Sequence, residues 1–318
     1  MKKLIPFPFK ASLVSILILS GCIATSSSFL LEETAQRLAA PAWMIKRDIT
    51  AETYILRSYE RIHKRRDFAN LYIEGDNIVN LANPTPKYPL ALHLASKDNA
   101  ENVIYLARPC QYTGKTDYPH SCDVSDWTDN QFSEDVIKSY NAALDDIAVR
   151  YQIKGFNLIG HAGGASIASL LAAERGDVLS LRTVAGILDH DAHRALHRST
   201  PLSGSLNPVT YASDLTNMPQ YHFIGGQDQY VPTSILHRYL QALPPSNCVQ
   251  TLLVQEAEYE NGWADKWPEL LALPVTCNQP LHGDSASIPT FDDLDNNSAS
   301  TPENQIKSFE DTLSPAKP

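Results

Sequence analysis

Positive charge is scarce in this chain: 26 lysines and arginines stand against 36 aspartates and glutamates, a formal net charge of −10. A surface of that sign does not displace the counterions of a phosphate backbone, which argues against nucleic acid as a partner. Long apolar runs are also missing. The run Ala11 to Leu19 is too short to span a bilayer as a helix, and no other segment comes closer. There is no internal repeat. No H-E-x-x-H pattern occurs, so no metal site is expected, although His190, His193 and His197 with Asp189 and Asp191 carry a faint metal-like spacing. No cofactor is expected either.

What is there begins with an export signal. Lys2, Lys3 and Lys10 precede the apolar run, which ends in Leu19-Ser20-Gly21-Cys22. This resembles a bacterial lipobox, whose cysteine is lipidated after cleavage; the weaker alternative is an ordinary secretory signal cut after Cys22. Ile23 rather than aspartate follows the cysteine, which in Gram-negative lipoproteins favours the outer membrane. The expectation is a protein of the cell envelope, anchored to the membrane through Cys22 and facing the periplasm. Loss of residues 1–21 removes three lysines and no acids, moving the net charge to about −13.

Setting Cys22 aside leaves four cysteines, an even number that in an exported protein points to two disulfides with three possible connectivities. Cys110–Cys122 and Cys248–Cys277 are favoured, since each closes a modest loop beside expected strands; four free buried thiols are the alternative. Four segments follow: signal peptide 1–21, lipidated tether 22–40 leading into a first helix, one domain over 41–280, and a tail over 281–318. The tail is rich in Ser, Asp, Asn and Pro and is expected to be disordered, because it cannot bury enough apolar area to offset chain entropy.

Inside the domain, short apolar strands alternate with helical periodicity. Strands are expected at 54–59, 68–73, 103–106, 156–159, 179–185, 221–224 and 249–254. Val136, Tyr140, Leu144, Ile147 and Tyr151 recur at helical spacing, with Ser133 as N-cap and Glu134 and Asp135 in the first turn. Further helices are expected at 232–240 and 263–271. Such alternation means an α/β fold with a mostly parallel central sheet and helices on both faces.

The most specific feature is Gly160-His161-Ala162-Gly163-Gly164, placed between a strand and a small-residue helix. A G-x-S-x-G sequence in this context forms the nucleophile elbow of an α/β-hydrolase, a sharp turn that lifts a serine above the sheet. Here the glycines are present and the serine position holds Ala162.

The chain resembles a group of proteobacterial α/β-hydrolases, often expected to be lipoproteins. The matching segments are Ile73-Glu74-Gly75-Asp76, Leu106-Ala107-Arg108-Pro109-Cys110-Gln111-Tyr112, Trp127-Thr128, Leu188-Asp189-His190, Pro201 through Pro208, and Gly225-Gly226-Gln227-Asp228. The resemblance implies an α/β-hydrolase fold and a set of site positions. Gly75 and Asp76 occupy the loop that supplies one oxyanion-hole amide, and Gly163 would supply the other. Asp228 takes the place of the triad acid, with a turn aspartate as the alternative reading. The triad histidine should stand four residues before the tryptophan that opens the last helix. That tryptophan is Trp263, and four residues earlier is Tyr259; no histidine occurs between His237 and His282.

Alanine has no atom that attacks a carbonyl, and a phenol of pKa about 10 is only about 0.1% ionised at neutral pH. The sequence therefore implies a degenerate triad and a non-catalytic protein that binds a small acyl or ester-like ligand or a protein partner. The alternatives are a hydrolase working through an atypical site, with Asp189, His190 or Asp228 activating a water, and an inactivated variant of a working serine esterase. His161, Asp189 and His190 are the remaining pocket candidates, each with a structural reading beside it.

Overall fold

The computed structural model describes residues 29–76, 82–113 and 122–277. Residues 1–21, expected to be a signal peptide, Cys22 and the tail from residue 281 lie outside the described residues.

The elements are helix α1 over residues 29–39, β1 (Ile45–Ala51), β2 (Tyr54–Ile62), β3 (Ala69–Ile73), α2 (Leu90–Lys97), β4 (Asn102–Leu106), α3 (Glu134–Tyr151), β5 (Phe156–His161), α4 (Gly163–Glu174), β6 (Val178–Val184), α5 (His190–Leu196), β7 (Gln220–Gly225), α6 (Thr233–Ala242), β8 (Val249–Val254) and α7 (Trp267–Ala272). The strand order is β1-β2-β4-β3-β5-β6-β7-β8. Contacts group the described residues into two compact units, 29–156 with Leu202–Leu206, and Asn157–Pro201 with 207–277.

In the first unit β1 and β2 pair antiparallel, as do β2 and β4, while β3 and β4 run parallel. Every residue of β4 is buried, as a strand covered on both faces requires. Helix α3 forms where the apolar stripe places it. The Ser133 hydroxyl accepts from the Val136 N–H, Glu134 and Asp135 sit in the first turn, and Val136, Tyr140, Leu144 and Ile147 are buried. Cys110 and Cys122 form a disulfide.

In the second unit β6, β7 and β8 pair parallel, and β7 is buried along its whole length. Residues 163–172 of α4 are buried, an all-round burial that its Gly, Ala and Ser residues allow. Cys248 and Cys277 form the second disulfide. Among the described residues no helix is long and apolar enough to cross a membrane.

Two local expectations are corrected. Strand β1 is absent from the sequence reading; its pattern of Ile45, Lys46, Arg47 and Asp48 is mostly polar because only Ile49 and Ala51 are buried. The last helix begins at Trp267 rather than Trp263, with Pro268 in its first turn. Proline suits the first helical position, where its missing N–H has no partner to lose, so Pro268 sets the start. Trp263 instead sits in a turn, fully buried, its indole N–H donating to the Glu258 carbonyl at 2.7 Å.

Candidate functional site

The site is built around the turn from β5 to α4. A Cβ on Gly160 would lie 2.4 Å from both the Ala165 Cα and the Gly164 carbonyl oxygen. Only glycine lets strand and helix approach this closely. Ala162 follows with φ 51° and ψ −118°, a backbone that a residue with a Cβ seldom adopts. The strain is held by neighbours on both sides. The Ala162 N–H donates to the Val184 carbonyl at 3.0 Å, and its carbonyl accepts from the N–H groups of Ala165 and Ile187, both at 3.1 Å. Gly163 is the first residue of α4.

The apex of this turn is closed. Ala162 is 0% exposed and clusters with Ile187, Val231 and Ile235, against which Ala192, Tyr230 and Tyr259 also pack. The three closing aliphatic residues come from separate segments. No periodicity links them, so the sequence reading did not find them.

Tyr259 packs against the Ala162 cluster, although the last helix opens at Trp267 rather than Trp263, so the spacing from which Tyr259 was expected at the base position does not hold. Its ring lies 5.1 Å from the His161 ring and 4.7 Å from that of Tyr230. The His161 Nε2 is 3.0 Å from the Tyr259 carbonyl oxygen. A carbonyl only accepts, so Nε2 carries the hydrogen and is a donor here. His161 is 3% exposed and packed beside the elbow.

Asp228 sits in the loop after β7. Its Oδ1 accepts from the N–H groups of Tyr230 and Val231, both at 2.8 Å, while its buried Oδ2 has no hydrogen-bond partner among the described residues. Burial pushes its carboxyl above the usual range, more than the two backbone N–H groups and the nearby His161 pull it down.

Asp189 and His190 start α5. The Asp189 Oδ1 accepts from the Ala192 N–H and from Asn207 Nδ2, both at 3.1 Å, and its Oδ2 accepts from Arg238 Nε at 2.7 Å. Burial pushes this carboxyl up, but Arg238, the Ala192 N–H and Asn207 outweigh it and hold it below the ordinary range. Asp189 is thus a helix cap locked by Arg238, and its oxygens are engaged. The His190 Nδ1 is 3.3 Å from Asp191. His193 and His197 both direct Nε2 at the Tyr230 carbonyl, at 3.0 and 2.8 Å, so these nitrogens donate to an oxygen. Burial, then the neighbouring His197, pushes His193 down to about 4.

The two aspartates should respond to pH in opposite senses. Asp189, depressed in the fold, contributes stability above the ordinary carboxylate pKa that is lost as pH falls through its folded value. Asp228, raised in the fold, weighs against stability from the ordinary carboxylate pKa upward. Thermal unfolding from pH 3 to 8 is expected to show Asp189→Ala less stable at neutral pH by about 1 kcal/mol or more, with the deficit shrinking in acid. Asp228→Asn is expected to be at least as stable as the parent at neutral pH, with the difference vanishing in acid.

In the first unit, the Gly75 N–H donates to Glu74 Oε1 at 2.9 Å, and its carbonyl accepts from Gln111 Nε2 at 3.1 Å. Asp76 pairs with the buried Arg108. The amide expected to serve an oxyanion therefore has an internal acceptor, which spacing alone did not reveal.

A strand–turn–helix with this geometry, set in this strand order, defines the α/β-hydrolase fold. Solved structures of that fold are similar to the chain. An esterase of Pyrococcus furiosus superposes with a TM-score of 0.51 at 14% identity, covering 73% of this chain and 90% of its own. A membrane phospholipase A described as a bacterial virulence factor gives a TM-score of 0.51 at 13% identity, over 81% and 96% of the two chains. Identities this low carry the fold and nothing of the activity. No protein-family profile and no curated protein matches the sequence.

Proposed function

We propose that this chain is a pseudo-hydrolase: an envelope lipoprotein, anchored through Cys22 at the outer membrane and facing the periplasm, that uses an α/β-hydrolase fold for binding or scaffolding rather than catalysis. The observation that carries this reading is Ala162. It holds the strained backbone of a nucleophile elbow, which costs on the order of 1–3 kcal/mol, yet it offers only a methyl group, buried beneath Ile187, Val231 and Ile235. Tyr259 is the residue expected at the base position and Asp228 the one expected at the acid position. The Asp228 Oδ2 has no hydrogen-bond partner among the described residues.

A small acyl or ester-like ligand would rest in the open surface depression between α5 and α6, lined by Asp191, Ala192, Ala195, Leu196, Ile235 and Arg238. The purified protein is expected to release no nitrophenol from short-chain nitrophenyl esters above the buffer rate. Saturable turnover that co-purifies with the protein would overturn the reading. Turnover that survives replacement of both Asp228 and His190 would in addition place the chemistry elsewhere.

A further inference from the structure

Cations are scarce in this chain, yet they gather at one end of the first unit. Residues 61–68, the connection from β2 to β3, read Arg-Ile-His-Lys-Arg-Arg-Asp-Phe, four permanent cations against one acid. The end of α3 and the turn after it add Arg150 and Lys154. Backbone bonds hold the two segments side by side. The Arg66 N–H donates to the Tyr151 carbonyl at 3.3 Å, the Lys154 N–H to the Asp67 carbonyl at 3.0 Å, and the Ala69 N–H to the Gly155 carbonyl at 3.1 Å. Lys64, Arg65, Arg66, Arg150 and Lys154 are all exposed, and Phe68 among them is 47% exposed.

Much of this charge is not neutralised. The Arg65 guanidinium donates to the Arg150 carbonyl and lies 5.9 Å from the centroid of the Tyr151 ring. Arg66 Nε donates to Gln152 Oε1 at 2.8 Å. These acceptors are uncharged, so they fix the two guanidinium groups without cancelling them. Among the described residues no carboxylate forms an ion pair with Arg65, Arg66 or Lys154. The acids close by have other partners: Asp67 pairs with Lys64 at 2.6 Å, Asp146 with Arg47 and with Arg150, and Glu101 stands 3.9 Å from His63.

We propose that this end of the first unit is a docking surface for the anionic phosphate headgroups of a bilayer, with Phe68 as its apolar contact. The argument is charge complementarity. Salt screens charges beyond about 8 Å at physiological ionic strength, so an approaching surface meets the local cations rather than the chain's net charge of −10. Each lysine or arginine held near an anionic membrane strengthens binding by about fivefold. An exposed aromatic ring among cations is what the interfacial layer takes up, and it favours lipid over a polyanion that has no apolar layer. The surface stands without the Cys22 anchor; on an anchored chain it would set which end faces the bilayer.

The test uses residues 23–318, which keep every element of the fold and carry neither the apolar run nor Cys22. Flotation is measured on vesicles of phosphatidylcholine alone and of phosphatidylcholine with phosphatidylglycerol. The parent is expected to float only with the anionic vesicles, and less as salt rises. Replacing Arg65, Arg66 and Lys154 together by Gln is expected to lower the partition coefficient on the order of 100-fold. Lys138→Gln is the control, an exposed cation of α3 already paired with Glu134, and should leave flotation unchanged. Thermal melting checks that the triple variant folds. Lys154→Gln with Phe68→Ser keeps the Arg65 and Arg66 contacts and should still weaken flotation by at least about fivefold.

Equal flotation with and without phosphatidylglycerol overturns the proposal, as does no flotation at all. Flotation that a folded triple variant or the Lys154→Gln, Phe68→Ser variant retains in full overturns it too. Binding to a duplex oligonucleotide or an acidic protein without flotation on anionic vesicles also overturns it, and assigns the cations to that polyanion.

Discussion

Ala162→Ser is expected to leave the protein without esterase activity. In a serine hydrolase, removing the triad serine costs on the order of 10⁶ in turnover, so restoring it to an otherwise intact site would be unmistakable. Here the hydroxyl would arrive with a phenol, not an imidazole, at the position expected for the base. Tyr259, expected at the base position, offers a phenol, and an ordinary phenol is almost wholly un-ionised at neutral pH. The His161 Nε2 already donates to the Tyr259 carbonyl. Ile187, Val231 and Ile235 pack around the side chain.

The measurement is nitrophenyl-ester turnover together with labelling by a fluorophosphonate, which reports an activated serine directly. The double variant Ala162→Ser with Tyr259→His separates two causes. If the double variant stays inactive, the closed apex is sufficient to block catalysis. If it turns over and the single variant does not, only the base was missing. Activity in Ala162→Ser alone would mean that a working esterase lacks nothing but its nucleophile.

Gly160→Ala is expected to cost at least about 3 kcal/mol, the range of severe overpacking in a core. The added methyl would meet the Ala165 Cα and the Gly164 carbonyl oxygen at 2.4 Å. Both are backbone atoms, and neither can swing aside as a flexible side chain would. Relief requires α4 to move off β5, which would undo the bonds from Ala162 to Val184, Ala165 and Ile187. Gly176→Ala makes the control, because nothing lies within 4 Å of a Cβ at that position. Chemical denaturation of the two variants should separate them clearly. A Gly160→Ala protein as stable as its Gly176→Ala counterpart would show that the strand–helix approach is looser than described.

Much of the framework was legible because local chemistry and tertiary demand agree. The α3 stripe, its Ser133 cap and its acidic first turn all describe one helix. The buried runs of β5 and β7 read as strands because a strand inside the sheet is covered on both faces. The pairings Cys110–Cys122 and Cys248–Cys277 were favoured from loop length and are formed. Where local pattern and context part, legibility fails. Strand β1 is half polar at an edge of the strand order, so it lacks the apolar run that marks a strand. The start of α7 follows Pro268 rather than the first large apolar residue, because backbone geometry outranks hydrophobicity at a helix entrance.

By itself the sequence determined the covalent facts: a methyl at Ala162 where a hydroxyl would be needed, a phenol at Tyr259, and glycine at 160 where no side chain fits. These depend on which atoms are present, and folding adds none. Only the tertiary structure decided what surrounds them. Ile187, Val231 and Ile235 pack around the apex, Arg238 and Asn207 lock Asp189 as a cap, and Glu74 takes the Gly75 amide. Each of these joins segments far apart in the chain or depends on backbone torsion, and neither spacing nor composition encodes distance across a fold.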